Sequence, residues 1–185
     1  MSREQHKDIT HVDLGVLQHF YRKHSQEGLP KPKSFLDIGC GPGGMVDWAR
    51  WFGLDALGID RDDTVGRDCV HTHDLELAPY HWKDHGVDII WAVEVAEHLA
   101  GSALQNFINT IVWNLSPAGI VIVTTAPMGC QGVGHVTLQP DWWWAKLFSN
   151  SGLVIDADLS AAAREHSTMA REFMRNTGKV FRRTS

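Results

Sequence analysis

The sequence predicts an α/β fold, a three-layer sandwich around a mostly parallel sheet of seven strands whose last strand is antiparallel. Three observations lead there. A short apolar run, Phe35, Leu36 and Ile38, opens into four glycines within six residues in the stretch SFLDIGCGPGG. Further short apolar runs alternate with segments of helical periodicity to the end of the chain. An acid stands at or near the tip of several of these runs, at Asp37, Asp60 and Asp74. With 185 residues, 43% hydrophobic and 21% charged, the chain is long enough to bury a sizeable core and reads as one domain over residues 1–185. Residues 1–32 form a helical lead-in and residues 33–185 the α/β core.

Each element has its own warrant. Val12, Leu14, Val16, Leu17, Phe20 and Tyr21 recur at roughly helical spacing, and Gly28, Pro30 and Pro32 end the pattern. Core contact alone accounts for that apolar face. Phe35 to Ile38 has the length and composition of a buried strand, and Gly39, Gly41, Gly43 and Gly44 allow a turn with close backbone approach. Met45 to Phe52 reads as a helix, so the loop is expected to present backbone N–H groups at a helix N-terminus, which suits polar or anionic ligand groups. Leu54 to Asp60, Cys69 to His73 and Val87 to Ala92 are the next three strands. Ala103 to Asn114 is a helix burying Leu104, Phe107, Ile108 and Ile111, and Ser116-Pro117-Ala118-Gly119 turns into a fifth strand, Ile120 to Thr125. The following loop, Ala126 to Pro140, carries three glycines and hangs over the strand ends; loops this long in compact domains are more often functional than idle. Trp142, Trp143 and Trp144 open a helix reaching Ser149, with at least one of them against the sheet. Leu153 to Ile155 and Gly178 to Arg183 read as the sixth and the antiparallel seventh strand, with a polar helix around Ser167 to Arg175 between them.

The spacing Gly39, Gly41, Gly44 fits a dinucleotide fingerprint, and Asp60, nineteen residues after Gly41, stands where an acid binds ribose hydroxyls. Asp37 argues against a dinucleotide. A carboxylate two residues before the first glycine disfavours a nearby pyrophosphate and suits a ligand with an ammonium group. At this point the chain resembles the class I S-adenosylmethionine-dependent methyltransferases, whose first motif is an acid, any residue, then Gly-x-Gly-x-Gly; Asp37, Gly39, Gly41 and Gly43 match it. The resemblance covers roughly Lys33 to the C-terminus and is strongest from Phe35 to Thr125. It implies a Rossmann-like core, S-adenosylmethionine as cofactor and S-adenosylhomocysteine as product. It also implies that Asp37, Gly39, Cys40, Gly41 and Gly43 bind the cofactor at the first loop, that Asp60 with Arg61 holds the ribose, and that Asp74 with the backbone of Leu75 holds the adenine.

Val87 to Leu99 resembles the fourth motif of the same family, in which an Asp opens a buried strand and Glu-His-Leu follows. Glu94 and His98, four apart, are expected to share one side of a helical turn at the strand ends, where ligands of open α/β sheets collect, and so to touch cofactor or substrate. Capping and solvating a helix start is the other reading of Glu97 and His98. Ser-Pro-Ala-Gly matches the family's Leu-x-Pro-Gly-Gly turn with Ala118 in place of the first glycine.

A sulfonium methyl is already activated, so a methyltransferase must mainly align a nucleophile and exclude water. A base is needed only when that nucleophile carries a proton at neutral pH. The candidates for catalytic roles are His135, Glu94 and His98. His135 follows Gly132-Val133-Gly134, glycines that would let the loop close over substrate, and an imidazole titrating near pH 6.5 suits proton removal. A purely structural hydrogen bond from loop to sheet is the alternative. The Asn/Asp-Pro-Pro-aromatic motif of the DNA amino-methyltransferases is replaced by Glu94-Val95-Ala96-Glu97, and the formal net charge is -5. Both argue against a nucleic-acid substrate and for a small-molecule or sugar acceptor, methylated on O or N. Two other classes stay open: a nicotinamide-dependent oxidoreductase, which leaves Asp37 misplaced, and a non-catalytic S-adenosylmethionine-binding adaptor.

Cys69, His71, His73, His81 and His85 fall within seventeen positions and invite a zinc reading. No paired ligand pattern is complete there, so no metal is expected. Three scattered cysteines fit a reducing compartment. No apolar run approaches the ~20 residues of a membrane span, and the polar start MSREQHKD is not a secretory signal. A cytoplasmic protein with no membrane partner is the expectation.

Overall fold

A computed structural model describes residues 11–26, 31–130 and 132–184. The polar start and the helix stop at Gly28 and Pro30 lie outside them. The strands are β1 (Ser34–Ile38), β2 (Asp55–Asp60), β3 (Val70–Thr72), β4 (Val87–Ala92), β5 (Leu115–Val123), β6 (Leu153–Ile155) and β7 (Lys179–Arg183). They form one sheet in the order β3-β2-β1-β4-β5-β7-β6, with β7 antiparallel to both its neighbours. The helices are α1 (Leu14–Gln26), α2 (Gly44–Trp51), α3 (Gly101–Asn114), α4 (Asp141–Ser149), α5 (Ala157–His166) and α6 (Phe173–Thr177), with a 3-10 turn at Ala96–His98.

Period-two alternation along the strands sorts the core into two layers. Phe35, Ile89, Trp91, Ile120, Ile122 and Val180 meet Val16, Leu17 and Phe20 of α1, Met45, Val46 and Ala49 of α2, Ala163 of α5 and Met174 of α6. Leu36, Ile38, Ile90, Val121, Val123 and Phe181 face the other way, onto Leu104, Phe107, Ile108 and Ile111 of α3 and onto Trp144 and Phe148 of α4. Phe148 stacks on Phe181 with ring centroids 4.1 Å apart, holding α4 to β7. Full burial of such a side chain contributes about 1.5–3 kcal/mol. Of the three consecutive tryptophans, Trp144 is the one fully buried, and Trp142 is exposed.

The architecture is the expected one, with two local departures. The segment expected as one helix around Ser167 to Arg175 holds only the short α6 from Phe173, and the longer helix of this region is α5, which starts ten residues earlier than expected. Asp156 starts it, accepting a hydrogen bond from the Leu159 N–H at 2.9 Å, and an alanine-rich run propagates it. The polar residues Ser167 and Thr168 serve a different purpose, since both donate to the fully buried Asp13 carboxylate ahead of α1. The Ser116–Gly119 turn lies within β5, where Leu115 pairs with Val87 and Ile120 with Ile89, so the intervening residues bulge from the ladder. Gly119 is needed there: a Cβ would stand 2.7 Å from the Val87 carbonyl oxygen.

From β1 the chain runs outward through β2 to β3, then returns to place β4 and β5 on the opposite side of β1. The order reverses between β1 and β4, and ligands of open α/β sheets bind at the carboxyl ends of strands at such a switch point.

Candidate active site

The loop after β1 folds back on β2. The N–H groups of Gly39 and Cys40 donate to the Ile59 carbonyl at 2.8 and 3.1 Å, that of Gly41 to Asp60 Oδ2 at 2.8 Å, and that of Gly43 to the Cys40 carbonyl at 3.0 Å. The expectation that this loop offers its donors to a ligand is therefore corrected at these four residues. Three of these N–H groups hold the loop to the tip of β2, and the fourth closes a turn within the loop. Gly39, Gly41 and Gly43 all have positive φ, of 72°, 50° and 82°. A Cβ on Gly39 would stand 2.5 Å from Val95 Cγ2, so the loops after β1 and β4 touch across the switch point.

Two carboxyls mark this half. Asp37 is buried in β1, and burial first, then the Asp60 carboxylate, hold it well above the ordinary range. Asp60 accepts from Gly41 through Oδ2 and from the Asp62 N–H at 2.9 Å through Oδ1. A carboxylate accepts about four hydrogen bonds, so Asp60 retains capacity for ligand hydroxyls. Cys40 is buried beneath Gly58, and burial, Asp37 and Asp60 all push its thiol up, leaving its backbone as the part a ligand could meet. Asp74 Oδ1 takes the Glu76 N–H at 2.9 Å, and the Leu75 carbonyl takes Asn106 Nδ2 at 2.7 Å. The exposed Arg61 guanidinium sits 3.8 Å from Glu76, on the surface.

The other half gathers after β4 and β5. Glu94 is not on a helical turn with His98 as expected; it precedes the 3-10 turn with φ of +58°, a left-handed conformation rare outside glycine. The fully buried Thr124 holds it there, its hydroxyl accepting from the Glu94 N–H and donating to Glu94 Oε1, both at 2.9 Å. The acid beside Glu94 is Glu97, expected to cap and solvate a helix start. It is fully buried, and neither carboxylate oxygen meets a donor with full hydrogen-bond geometry among the described residues, while the Glu94 carboxyl and the Ala126 backbone stand close to it. Burial first, and the Glu94 carboxyl second, push it up to about 8. Burial also raises Glu94, against the lowering effect of the Thr124 hydrogen bond. Three-residue spacing from Glu94 at a strand end was the one available signal for Glu97.

The loop after β5 lies over this pair. The Val136 and Thr137 N–H groups donate to the Glu97 carbonyl at 2.9 and 3.0 Å, and the Thr137 hydroxyl to the Leu99 carbonyl at 2.6 Å. His98 Nδ1 meets the Gly134 carbonyl at 3.0 Å, and the His98 and His135 rings make an edge contact with centroids 4.8 Å apart. The His135 ring rests against Gly132, where a Cβ would stand 2.1 Å from Cε1. That glycine makes room for the imidazole. In the Cys69 to His85 stretch, His71 Nδ1 meets the Tyr80 hydroxyl at 2.7 Å and His73 Nε2 the Ala78 carbonyl at 2.8 Å.

Two strand-tip carboxyls stand on one side of the switch point, and a cluster of a carboxyl and two imidazoles on the other. A sequence profile of the methyltransferase domain family matches residues 10–167. The chain belongs to that family. The fold agrees. A TehB-like SAM-dependent methyltransferase from Corynebacterium glutamicum superposes with a TM-score of 0.60 at 18% identity, over 96% of this chain and 89% of that one. A sugar N-methyltransferase from Streptoalloteichus gives 0.63 at 13% identity, over 90% and 86%. A putative methyltransferase in complex with the Trm112 methyltransferase activator, from Haloferax volcanii, gives 0.59 at 17% identity, over 94% and 99%. No curated protein sequence matches the chain.

The methyltransferase uses S-adenosylmethionine. Its own residues fit that group: the raised, buried Asp37 beside Asp60 suits an ammonium, and Asp60 has acceptor capacity for ribose hydroxyls. When bound, the cofactor supplies an activated sulfonium methyl. No helix among the described residues is long and apolar enough to cross a membrane.

Proposed function

We propose that this methyltransferase, as one domain, transfers a methyl group to a hydroxyl or amine of a small, sugar-like acceptor. Asp37, the Gly39–Gly43 loop, Asp60, Asp74 and Leu75 hold the cofactor, and the acceptor enters over Glu94, Glu97, His98 and His135. One observation carries the reading: proton-accepting side chains converge directly across the switch point from the cofactor loop, with Val95 in contact with Gly39 between the two halves. That is where a nucleophile must lie to attack in line with a methyl–sulfur bond. The net charge of -5 supports a small acceptor over nucleic acid, and one structural neighbour is a sugar N-methyltransferase. Family membership sets the nicotinamide reading aside.

In this reading His135 receives the acceptor's proton; its ring rests against Gly132 and His98, near the buried Glu97 carboxyl. The test pairs calorimetry with S-adenosylhomocysteine and a labelled-methyl screen of hydroxyl and amine acceptors. His135→Ala should bind S-adenosylhomocysteine as the parent does and turn over about 10²–10⁴-fold more slowly, the usual contribution of a positioned base. Parental turnover in that variant would remove His135 from the reaction.

A further inference from the structure

We infer that Glu97, His98 and His135 form a binding site for one divalent transition-metal ion of the Zn²⁺ class, open on the side where the acceptor enters. Ligand atoms from these three side chains, one each, lie within 4.8 Å of one another. An ion with donors at about 2.0–2.2 Å closes that gap by modest side-chain movement. One carboxylate and two imidazoles, with a position left over, is a donor set suited to zinc that binds water or substrate.

Three further features point to a cation. Glu97 is fully buried beside the Glu94 carboxyl, and neither of its oxygens meets a donor with full hydrogen-bond geometry among the described residues, a pairing of two acids that an ion would compensate. His135 Nδ1 is likewise buried without a partner. His98 Nδ1 faces the Gly134 carbonyl at 3.0 Å, an acceptor only, so Nδ1 carries the proton and Nε2 the lone pair in the neutral ring. A ring nitrogen donating to a backbone carbonyl is the usual outer support of a metal-bound histidine. The cluster spans thirty-nine positions across two loops, which is why no motif spacing announced it.

The ion would sharpen the choice of acceptor. With the ion bound, His135 is a ligand and no longer the proton acceptor of the metal-free reading; a coordinated amine has committed its lone pair to the metal, whereas a coordinated hydroxyl that has lost its proton to solvent keeps lone pairs for attack. The acceptor oxygen then forms the new O–CH₃ bond as the methyl–sulfur bond breaks, and that bond's electron pair stays on sulfur as the neutral thioether. A metal here thus selects hydroxyl acceptors. This consequence rests on the methyl-transfer reading; the metal site itself does not.

The test uses full-length protein stripped with chelator and titrated with Co²⁺, whose visible absorption reports low-coordinate N/O ligation, followed by Zn²⁺ competition. One ion per chain is expected, displaced by Zn²⁺, with affinity lowered at least about tenfold in Glu97→Gln and in His135→Ala. Gly132→Ala, which displaces the His135 ring, should weaken binding too and serves in place of Glu97→Gln if that variant does not fold. No stoichiometric binding, or binding indifferent to these substitutions, overturns the site. Calorimetry with S-adenosylhomocysteine on the same samples separates the two ideas. Intact cofactor binding without metal binding removes the metal alone, and metal binding without cofactor binding removes the methyl-transfer reading alone.

Discussion

The Thr124 hydroxyl closes a reciprocal pair of hydrogen bonds with Glu94, taking its N–H and giving to Oε1, each at 2.9 Å, and so pins a non-glycine residue at φ of +58°. Left-handed backbone persists at such a residue only where the surroundings over-determine it. Thr124, at the end of β5, therefore sets where the Glu94 carboxyl stands relative to the cofactor loop.

Thr124→Val keeps the shape and removes both bonds. It should lower unfolding stability by about 1–3 kcal/mol, the cost of leaving a buried donor unmade. Thr124→Ser should recover most of that loss. Urea denaturation of the three proteins checks it; a valine variant as stable as the parent would mean that the strand end holds Glu94 by other contacts.

If Asp37 holds the cofactor's ammonium as proposed, cofactor binding should be pH-dependent. Burial, with the Asp60 carboxylate second, raises its folded-state pKa above the unfolded value of about 3.9. The folded chain then keeps its proton longer, so Asp37's contribution to stability is intact below the unfolded pKa and is lost as pH rises through the folded one. Asp37→Asn should thus match the parent near pH 4 and exceed it in stability above that window. Affinity for the ammonium-bearing S-adenosylhomocysteine should rise with pH in the parent across the same window. In the variant it should stay flat and, above the window, weaker by about 1.5–3 kcal/mol. Denaturation and calorimetry across pH measure both, and parallel pH profiles would separate Asp37 from the ligand.

Asp60 has two tasks, holding Gly41 and, as proposed, binding ribose. Asp60→Ala should weaken S-adenosylhomocysteine by about 1.5–3 kcal/mol and homocysteine, which lacks the ribose, by less. Equal losses measured by calorimetry would assign Asp60 to the loop alone.

Gly39 and Val95 test the contact between the two halves. Gly39→Ala incurs about 1–2 kcal/mol for left-handed backbone and a further ~1–3 kcal/mol for the crowding against Val95. Val95→Ala should relieve the second part and leave the first, so the double variant should be more stable than the two single losses predict. Strict additivity in thermal unfolding would deny the contact.

Composition and periodicity were enough for the architecture, because apolar alternation and glycine-acid spacing are local properties. Phe35 to Ile38, Val87 to Ala92 and Leu153 to Ile155 read as strands directly, and the acids at Asp37 and Asp60 stood out by position along the chain. What failed locally was competition between signals. The Asp156 cap and the alanines after it outweighed the polar run at Ser167, whose hydroxyl and backbone neighbours were needed by a buried acid more than one hundred and fifty residues away, Asp13.

The proposed cofactor half was legible because one turn and the tips of adjacent strands build it. The acceptor half was decided by tertiary structure. Whether Glu97 is a solvated cap or a buried carboxylate depends on a loop some forty residues later folding over it, through the Val136 and Thr137 hydrogen bonds to its carbonyl. The meeting of His98 and His135 depends on the same loop, with Gly132 leaving room for a ring. Sequence determined which side chains were present and which strands would carry them; the burial of Glu97, and the meeting of two imidazoles beside it, arise only when distant segments pack together.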